Sequence, residues 1–267
     1  MTDLTPGTRS GDAVGSSLDH DVLTVWLRRG STLNAVNTEM LDDLADVVEG
    51  AAETGARVIA LRAEGRGFCS GADIGGDVSA DDGPPATDTI VAGERLVRAL
   101  TTSPLPVVSV VQGPCAGIGV PIALAADITL ASDQAFFMLA FTKIGLMPDG
   151  GASALVAAAV GRATAMRMAL LAERVTAEEA AALGLIASVS RADAFDAHVS
   201  DVLARLSNGP SVAYARTKAA VNDATLGSLD HAFAVELDGQ AGLLAADDFT
   251  EGTTAFREKR AANFTDR

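Results

Sequence analysis

Two short runs of apolar, mostly β-branched residues each open into a glycine-rich turn, and no other feature restricts the fold of this chain so strongly. Ala56-Arg57-Val58-Ile59-Ala60-Leu61 leads into Gly65-Arg66-Gly67-Phe68-Cys69-Ser70-Gly71-Ala72-Asp73-Ile74. Val107-Val108-Ser109-Val110-Val111 leads into Gln112-Gly113-Pro114-Cys115-Ala116-Gly117-Ile118-Gly119. Apolar runs of this length bounded by glycine read as buried strands, so both turns sit at strand ends. Small residues there let a ligand approach the backbone and leave N–H groups free to point at an oxygen. After the second turn an apolar stretch to Ala126 reads as a helix start, whose free amides carry partial positive charge. Two such turns can supply two donors to one oxyanion. The plainer alternative is a pair of loops that need glycine only for their torsions.

Gly67-Phe68-Cys69-Ser70-Gly71-Ala72-Asp73-Ile74, Pro106-Val107-Val108, Gln112-Gly113-Pro114-Cys115-Ala116-Gly117 and Ala126-Asp127-Ile128 together resemble the crotonase (enoyl-CoA hydratase/isomerase) superfamily. Leu33-Asn34-Ala35, and Glu251-Gly252, Ala255-Phe256 and Lys259-Arg260 near the C-terminus, fit the same pattern, so the likeness runs from about Asp21 to Phe264. It implies an α/β fold, a crotonase-like spiral of ββα repeats with a C-terminal helical trimerisation region, and an acyl-CoA thioester as substrate. It also implies the amides of Ser70 and Ile118 as oxyanion donors. Leu33, Asn34, Ala35, Ser70, Gly71, Ala72, Asp73, Ile74, Gly117, Pro121 and Phe141 would line the substrate, with Asp73 fixing its loop rather than catalysing. Ile118 stands where the family has glycine, and its stiff β-branched side chain is expected to narrow the mouth.

Chemistry beside a thioester carbonyl needs a stabilised enolate oxygen and a group that moves a proton at the α-carbon. Hydratases of the family hold a water between two glutamates, and the matching positions here are Pro121 and Phe141, neither of which transfers a proton. Asp149, in Gly145-Leu146-Met147-Pro148-Asp149-Gly150-Gly151, matches the acidic base of the family's isomerases. The surrounding residues look closest to the 1,2-epoxyphenylacetyl-CoA isomerase branch. The resemblance therefore implies a double-bond shift of the 3-enoyl-CoA to 2-enoyl-CoA type, or a related ring-acyl isomerisation, with CoA carried by the substrate and no other cofactor. Taken locally, Asp149 is also well placed to cap the helix that follows. The rival functions are a non-catalytic acyl-CoA-binding member and an atypical hydratase or thioesterase.

The 267 residues carry a net charge of −15, which argues against nucleic acid, because phosphate neutralisation needs clustered cations. An anionic CoA would need local cations, for which Arg28, Arg29, Arg66, Lys143, Arg257, Lys259 and Arg260 are candidates; each also reads as solvated surface. No apolar run is expected to approach the ~20 residues of a membrane span. A polar start without an apolar core gives no sign of a secretion signal, and a cytoplasmic setting is expected. Cys69 and Cys115 lack metal-ligand spacing and read as small buried thiols, and no metal site is indicated.

The chain is expected to divide into a flexible tail over 1–17, with an edge strand beginning within 12–18 as the alternative reading there, an α/β core with the acyl-CoA site over 18–200, and a helical region over 201–267. Strands are expected near 21–28, 56–61, 107–111, 128–131 and 135–138. Helices are expected from Asn37 or Thr38 and near 87–102, 152–172, 176–183, 192–206, 211–222 and 228–246. The acidic segment between Gly75 and Pro85 reads either as a lid or as a plain connector. Packing of 211–246 between copies, as a homotrimer or a dimer of trimers, is the assembly the resemblance implies.

Overall fold

The computed structural model describes residues 13–74 and 87–266. In chain order the elements are β1 (Val14–Asp19), β2 (Val22–Leu27), α1 (Thr38–Glu49), β3 (Val58–Ala63), α2 (Asp88–Thr102), β4 (Val107–Val111), β5 (Cys115–Ala116), α3 (Gly119–Leu124) and β6 (Ile128–Ser132). There follow β7 (Phe136–Met138), α4 (Ala152–Leu171), β8 (Val175–Thr176), α5 (Ala177–Leu183), β9 (Ser188–Ser190), α6 (Phe195–Ser207), α7 (Ser211–Thr225), α8 (Leu229–Leu244) and α9 (Asp247–Glu258). One sheet has the order β1-β2-β3-β4-β6-β9; β5, β7 and β8 make a second, smaller one. In the larger sheet β1 and β2 are antiparallel, and every later pairing is parallel.

Parallel strands require crossovers that cover both sheet faces, and this explains why β3 and β4 are continuous apolar runs rather than alternating ones. On one face Ile59, Leu61, Val107 and Val111 join Met40, Leu41 and Leu44 of α1 and Leu96 and Leu100 of α2. On the other, Val58, Ala60, Val108, Val110 and Leu130 pack against Phe195, Val199 and Leu203 of α6. Helix α1 begins where expected, with the Asn37 side chain accepting from the Met40 amide.

Of the two readings of residues 12–18, tail or edge strand, the structure has the strand: Val14 pairs with Leu27 and Ser17 with Thr24. The helical region does not start at residue 201, which lies inside α6; α6 closes the second core, and the change comes at Asn208-Gly209. There Arg57 donates to the carbonyls of Ser207 and Gly209. Strands β5, β8 and β9 were too short to carry a period, and α9 too polar on most of its faces. The segment between Gly75 and Pro85 lies outside the described residues.

Helix α4 corrects the expectation about membrane spans: by length and mean hydropathy it is the one helix among the described residues that could cross a bilayer. Gly161 breaks it, with φ 74° and ψ 163°, so the helical pieces over 152–160 and 162–171 each fall short of the ~20 residues a span needs.

The two glycine turns are locked by close backbone approach. A Cβ on Gly113 would lie 2.0 Å from the Arg66 carbonyl oxygen, an atom that cannot rotate away. Gly113→Ala is expected to lower the unfolding free energy by about 3 kcal/mol, read by urea denaturation. An unchanged midpoint would show that the turns have slack.

Candidate active site

The turns are joined to each other before they meet any ligand. Phe68 and Cys69 both donate their amides to the Pro114 carbonyl, at 2.9 and 3.2 Å, and Ala116 donates to the Cys69 carbonyl at 2.8 Å. Cys69 and Cys115 form an isolated parallel bridge, and Gly117 sits so close that a Cβ on it would be 3.2 Å from the Gly71 Cα. Gly71 (φ 109°) and Gly117 (φ 54°) take backbone angles that side chains resist. Both cysteines are buried, and burial pushes the Cys69 thiol up to about 12 and Cys115 well up too, so both are inert packing groups.

The Ser70 amide, expected as an oxyanion donor, is engaged within the protein. Ser70 spends its N–H on the Leu33 carbonyl at 3.0 Å and its hydroxyl on Thr32. At the tips of the two turns the Ser70, Asp73, Ala116 and Gly117 amides donate to backbone carbonyls, whereas those of Ala72 and Ile118, each following one of the two touching glycines, make no such bond. The bridge between Val36 and Ala72 uses the Gly71 carbonyl and the Asp73 amide and leaves the Ala72 N–H over, so next to the engaged Ser70 amide the first turn offers that of Ala72.

The upstream segment supports this turn from behind. Asn34 is fully buried; its amide group donates to the carbonyls of Glu64 and Gly67 and its oxygen accepts from the Arg29 amide. Arg29 also donates to the Ala35 carbonyl and pairs with Asp73 at 2.7 Å, so Asp73 does anchor its loop. Leu33 and Ala35 act through their carbonyls, and Ile74 ends the described stretch. Ile118 does not narrow the mouth: it is 3% exposed and its side chain lies against Gly93 of α2 and Gly150, where added Cβ atoms would be 2.4 and 3.2 Å away. Pro121 packs on Gly150, and Phe141 is buried.

Asp149 is buried in this apolar corner. One carboxyl oxygen accepts from the Gln240 side chain at 2.8 Å; the other is buried without a partner. Burial is the main cause that raises its pKa to about 7; the Gln240 bond opposes this, and the carboxylates of Glu236 and Glu94 add to it. It does not cap α4. Gly151 occupies that place, and the Gly151 and Ser153 amides and the Ser153 hydroxyl all donate to Glu236 of α8.

A family model described as enoyl-CoA hydratase/isomerase matches residues 18–267. The chain belongs to that family. Among similar proteins, a probable enoyl-CoA hydratase of Rhodobacter capsulatus is 40% identical over 94% of this chain and 96% of its own length. The 1,2-epoxyphenylacetyl-CoA isomerase of Escherichia coli K12 is 35% identical over 94% and 97%. A crystal structure of an enoyl-CoA hydratase from Mycobacterium avium subsp. paratuberculosis K-10 superposes with a TM-score of 0.89 at 52% identity, covering 95% of this chain and 99% of that one. The crotonase-like α/β fold expected from the sequence is the fold of this hydratase/isomerase-family chain.

Sequence reasoning missed Glu94, Glu236 and Gln240. The last lies 91 residues from Asp149, and the only local signal was the spacing of Glu236 and Gln240, which places them on one face of a helix. Of the cations proposed for CoA, Arg28, Arg29 and Arg260 are paired with acids; Arg66, Lys143, Arg257 and Lys259 carry no ion pair among the described residues.

Proposed function

We propose that this family member shifts a double bond in acyl-CoA thioesters, of the 3-enoyl-CoA to 2-enoyl-CoA type or in a related ring-acyl chain. The observation that carries the reading is the unpartnered, buried oxygen of Asp149, whose neighbour Gly150 packs against Ile118 and Pro121, with apolar Pro121 and Phe141 where the resemblance puts the glutamates of the family's hydratases. The Asp149 carboxylate takes the C2 proton. The C2–H electron pair moves into a dienolate whose oxygen accepts from the Ala72 and Ile118 amides. Asp149 then returns a proton to C4, leaving the double bond between C2 and C3. The drawn reaction uses no cofactor beyond the CoA of the substrate.

The test is a 3-enoyl-CoA in deuterated water, followed by mass and by ultraviolet absorbance of the conjugated thioester. Conjugation with deuterium uptake supports the reading. Product heavier by one water supports the second reading, hydration, which the printed names of the Rhodobacter and Mycobacterium proteins favour. Binding without any product would leave an acyl-CoA carrier.

We also propose a homotrimer or dimer of trimers. Helix α7 has no buried residue, and Val212 and Val221 on it, Val235 on α8, and Leu170 and Leu171 at the end of α4 are exposed apolar side chains. Light scattering is expected to give a mass at least three times that of one chain; a monomer would overturn this.

A further inference from the structure

Glu94 is the carboxyl in this corner that the mechanism above does not use. Residues 94 and 98 of α2 face α8: Arg98 pairs with Asp230 and lies 5.1 Å from the Phe233 ring centre, and Phe233 in turn meets Gly151. The residue before Glu94, Gly93, and the residue after Asp149, Gly150, both pack against Ile118. One Glu94 carboxyl oxygen is buried with no partner, as is one of Asp149. Yet the Glu94 side chain also lines an open groove of about 320 Å³ on α2, with Glu49, Val91, Arg95, Arg98 and Thr102. It therefore reaches from solvent toward the buried acid cluster. Arg95 is held by Asp42, Asp46 and Glu49, leaving Arg98 as the cation that acts on Glu94.

We propose that Glu94 relays protons between this groove and Asp149, so that the proton taken from the acyl chain exchanges with solvent instead of all returning to the chain. The proposal rests on the isomerase reading for its substrate. Directly or through one water, the Glu94 carboxyl O–H breaks, an O–H forms on the Asp149 carboxylate, and the Glu94 carboxylate is reprotonated from the groove; the reverse sequence drains a proton outward. Glu236 cannot serve, since its oxygens already accept from Gly151 and Ser153. Burial first, and then the Glu236 carboxylate, raise Glu94 to about 7, against Arg98, which matches it to Asp149 for transfer in either direction. Facing Asp149 are Glu236 and Gln240 from α8 and Glu94 from α2; Ile118 and Pro121 bring no charge.

The experiment follows a 3-enoyl-CoA deuterated at C2 through turnover in ordinary water. Wild type is expected to lose part of the transferred label, Glu94→Gln to keep at least about twice as much deuterium at C4 of the product, and Glu49→Gln, in the same groove, to match wild type. Equal retention in Glu94→Gln and wild type, complete retention in wild type, or the same rise in Glu49→Gln would overturn the relay. In parallel, the Asp149 carboxyl is titrated by carbon-13 NMR, which needs no turnover. Its midpoint is expected to fall in Glu94→Gln, since a like charge has gone. If wild type conjugates no 3-enoyl-CoA, the isomerase reading fails by itself and this titration decides: an unmoved midpoint overturns the Glu94 proposal.

Discussion

Asp149→Asn is expected to lower turnover of a 3-enoyl-CoA by roughly a thousandfold while binding of the thioester is retained, the loss typical of removing a positioned proton-transfer group. The amide can still accept from Gln240, so the corner keeps its shape, but it cannot take a proton. The same carboxyl sets two pH dependences with opposite signs. Activity requires the carboxylate, so the rate rises with pH around a midpoint near 7. Stability runs the other way. The folded pKa is raised from 3.8 to about 7, so between those values the folded chain holds more protons than the unfolded one, and the unfolding free energy falls as pH climbs. Asp149→Asn removes this slope contribution. Denaturation across pH 4 to 7 together with a pH–rate profile measures both; a wild-type slope in the variant, or wild-type turnover, would assign the proton to another group.

Glu236→Ala is expected to have the largest effect on stability. Glu236 is fully buried and takes three donors from the start of α4, the Gly151 and Ser153 amides and the Ser153 hydroxyl. Truncation leaves them unpaired in a closed corner and costs about 3 kcal/mol or more. Glu236→Gln keeps one acceptor oxygen but turns an NH₂ group toward a donor, and is expected to fall between wild type and alanine. Urea denaturation separates the three. Equal stability of all of them would mean that water replaces the carboxylate, and that α4 does not depend on α8 for its start.

The strands, both glycine turns and the helices of the first half were legible because each carries its signal locally: apolar runs bounded by glycine, and the Asn37 cap before a helical period. The candidate base was legible only through its Gly-x-x-Pro surroundings. Local logic alone read Asp149 as a cap, and what displaces it, Glu236, comes from a distant helix. The resemblance points to Ser70 as the first donor because it puts a small residue at that position. Which amide stays free depends on Leu33 and Val36, whose carbonyls and amides pair with that turn from another part of the chain. That Pro121 packs against Gly150, next to Asp149, was not legible either, because the two meet only through the fold. Ile118 was read as an obstruction because a sequence does not display the empty side of Gly93.

The shared backbone ladder of the two turns also bears on the order in which the molecule is made. The first turn ends at Ile74, yet its amides have no fixed places until Pro114 and Ala116 exist to pair with Phe68 and Cys69. Asp149 in turn has no fixed orientation until Gln240 arrives on α8, and Gly145 packs against Asp248 beyond it. During synthesis from the N-terminus, a nascent chain can thus complete its larger sheet, which ends at β9, and pair its two turns while Asp149 still lacks Gln240. Closing these long sequence separations is the slow part of folding, so the last helices to emerge are the ones that turn a folded sheet into a pocket with a positioned acid.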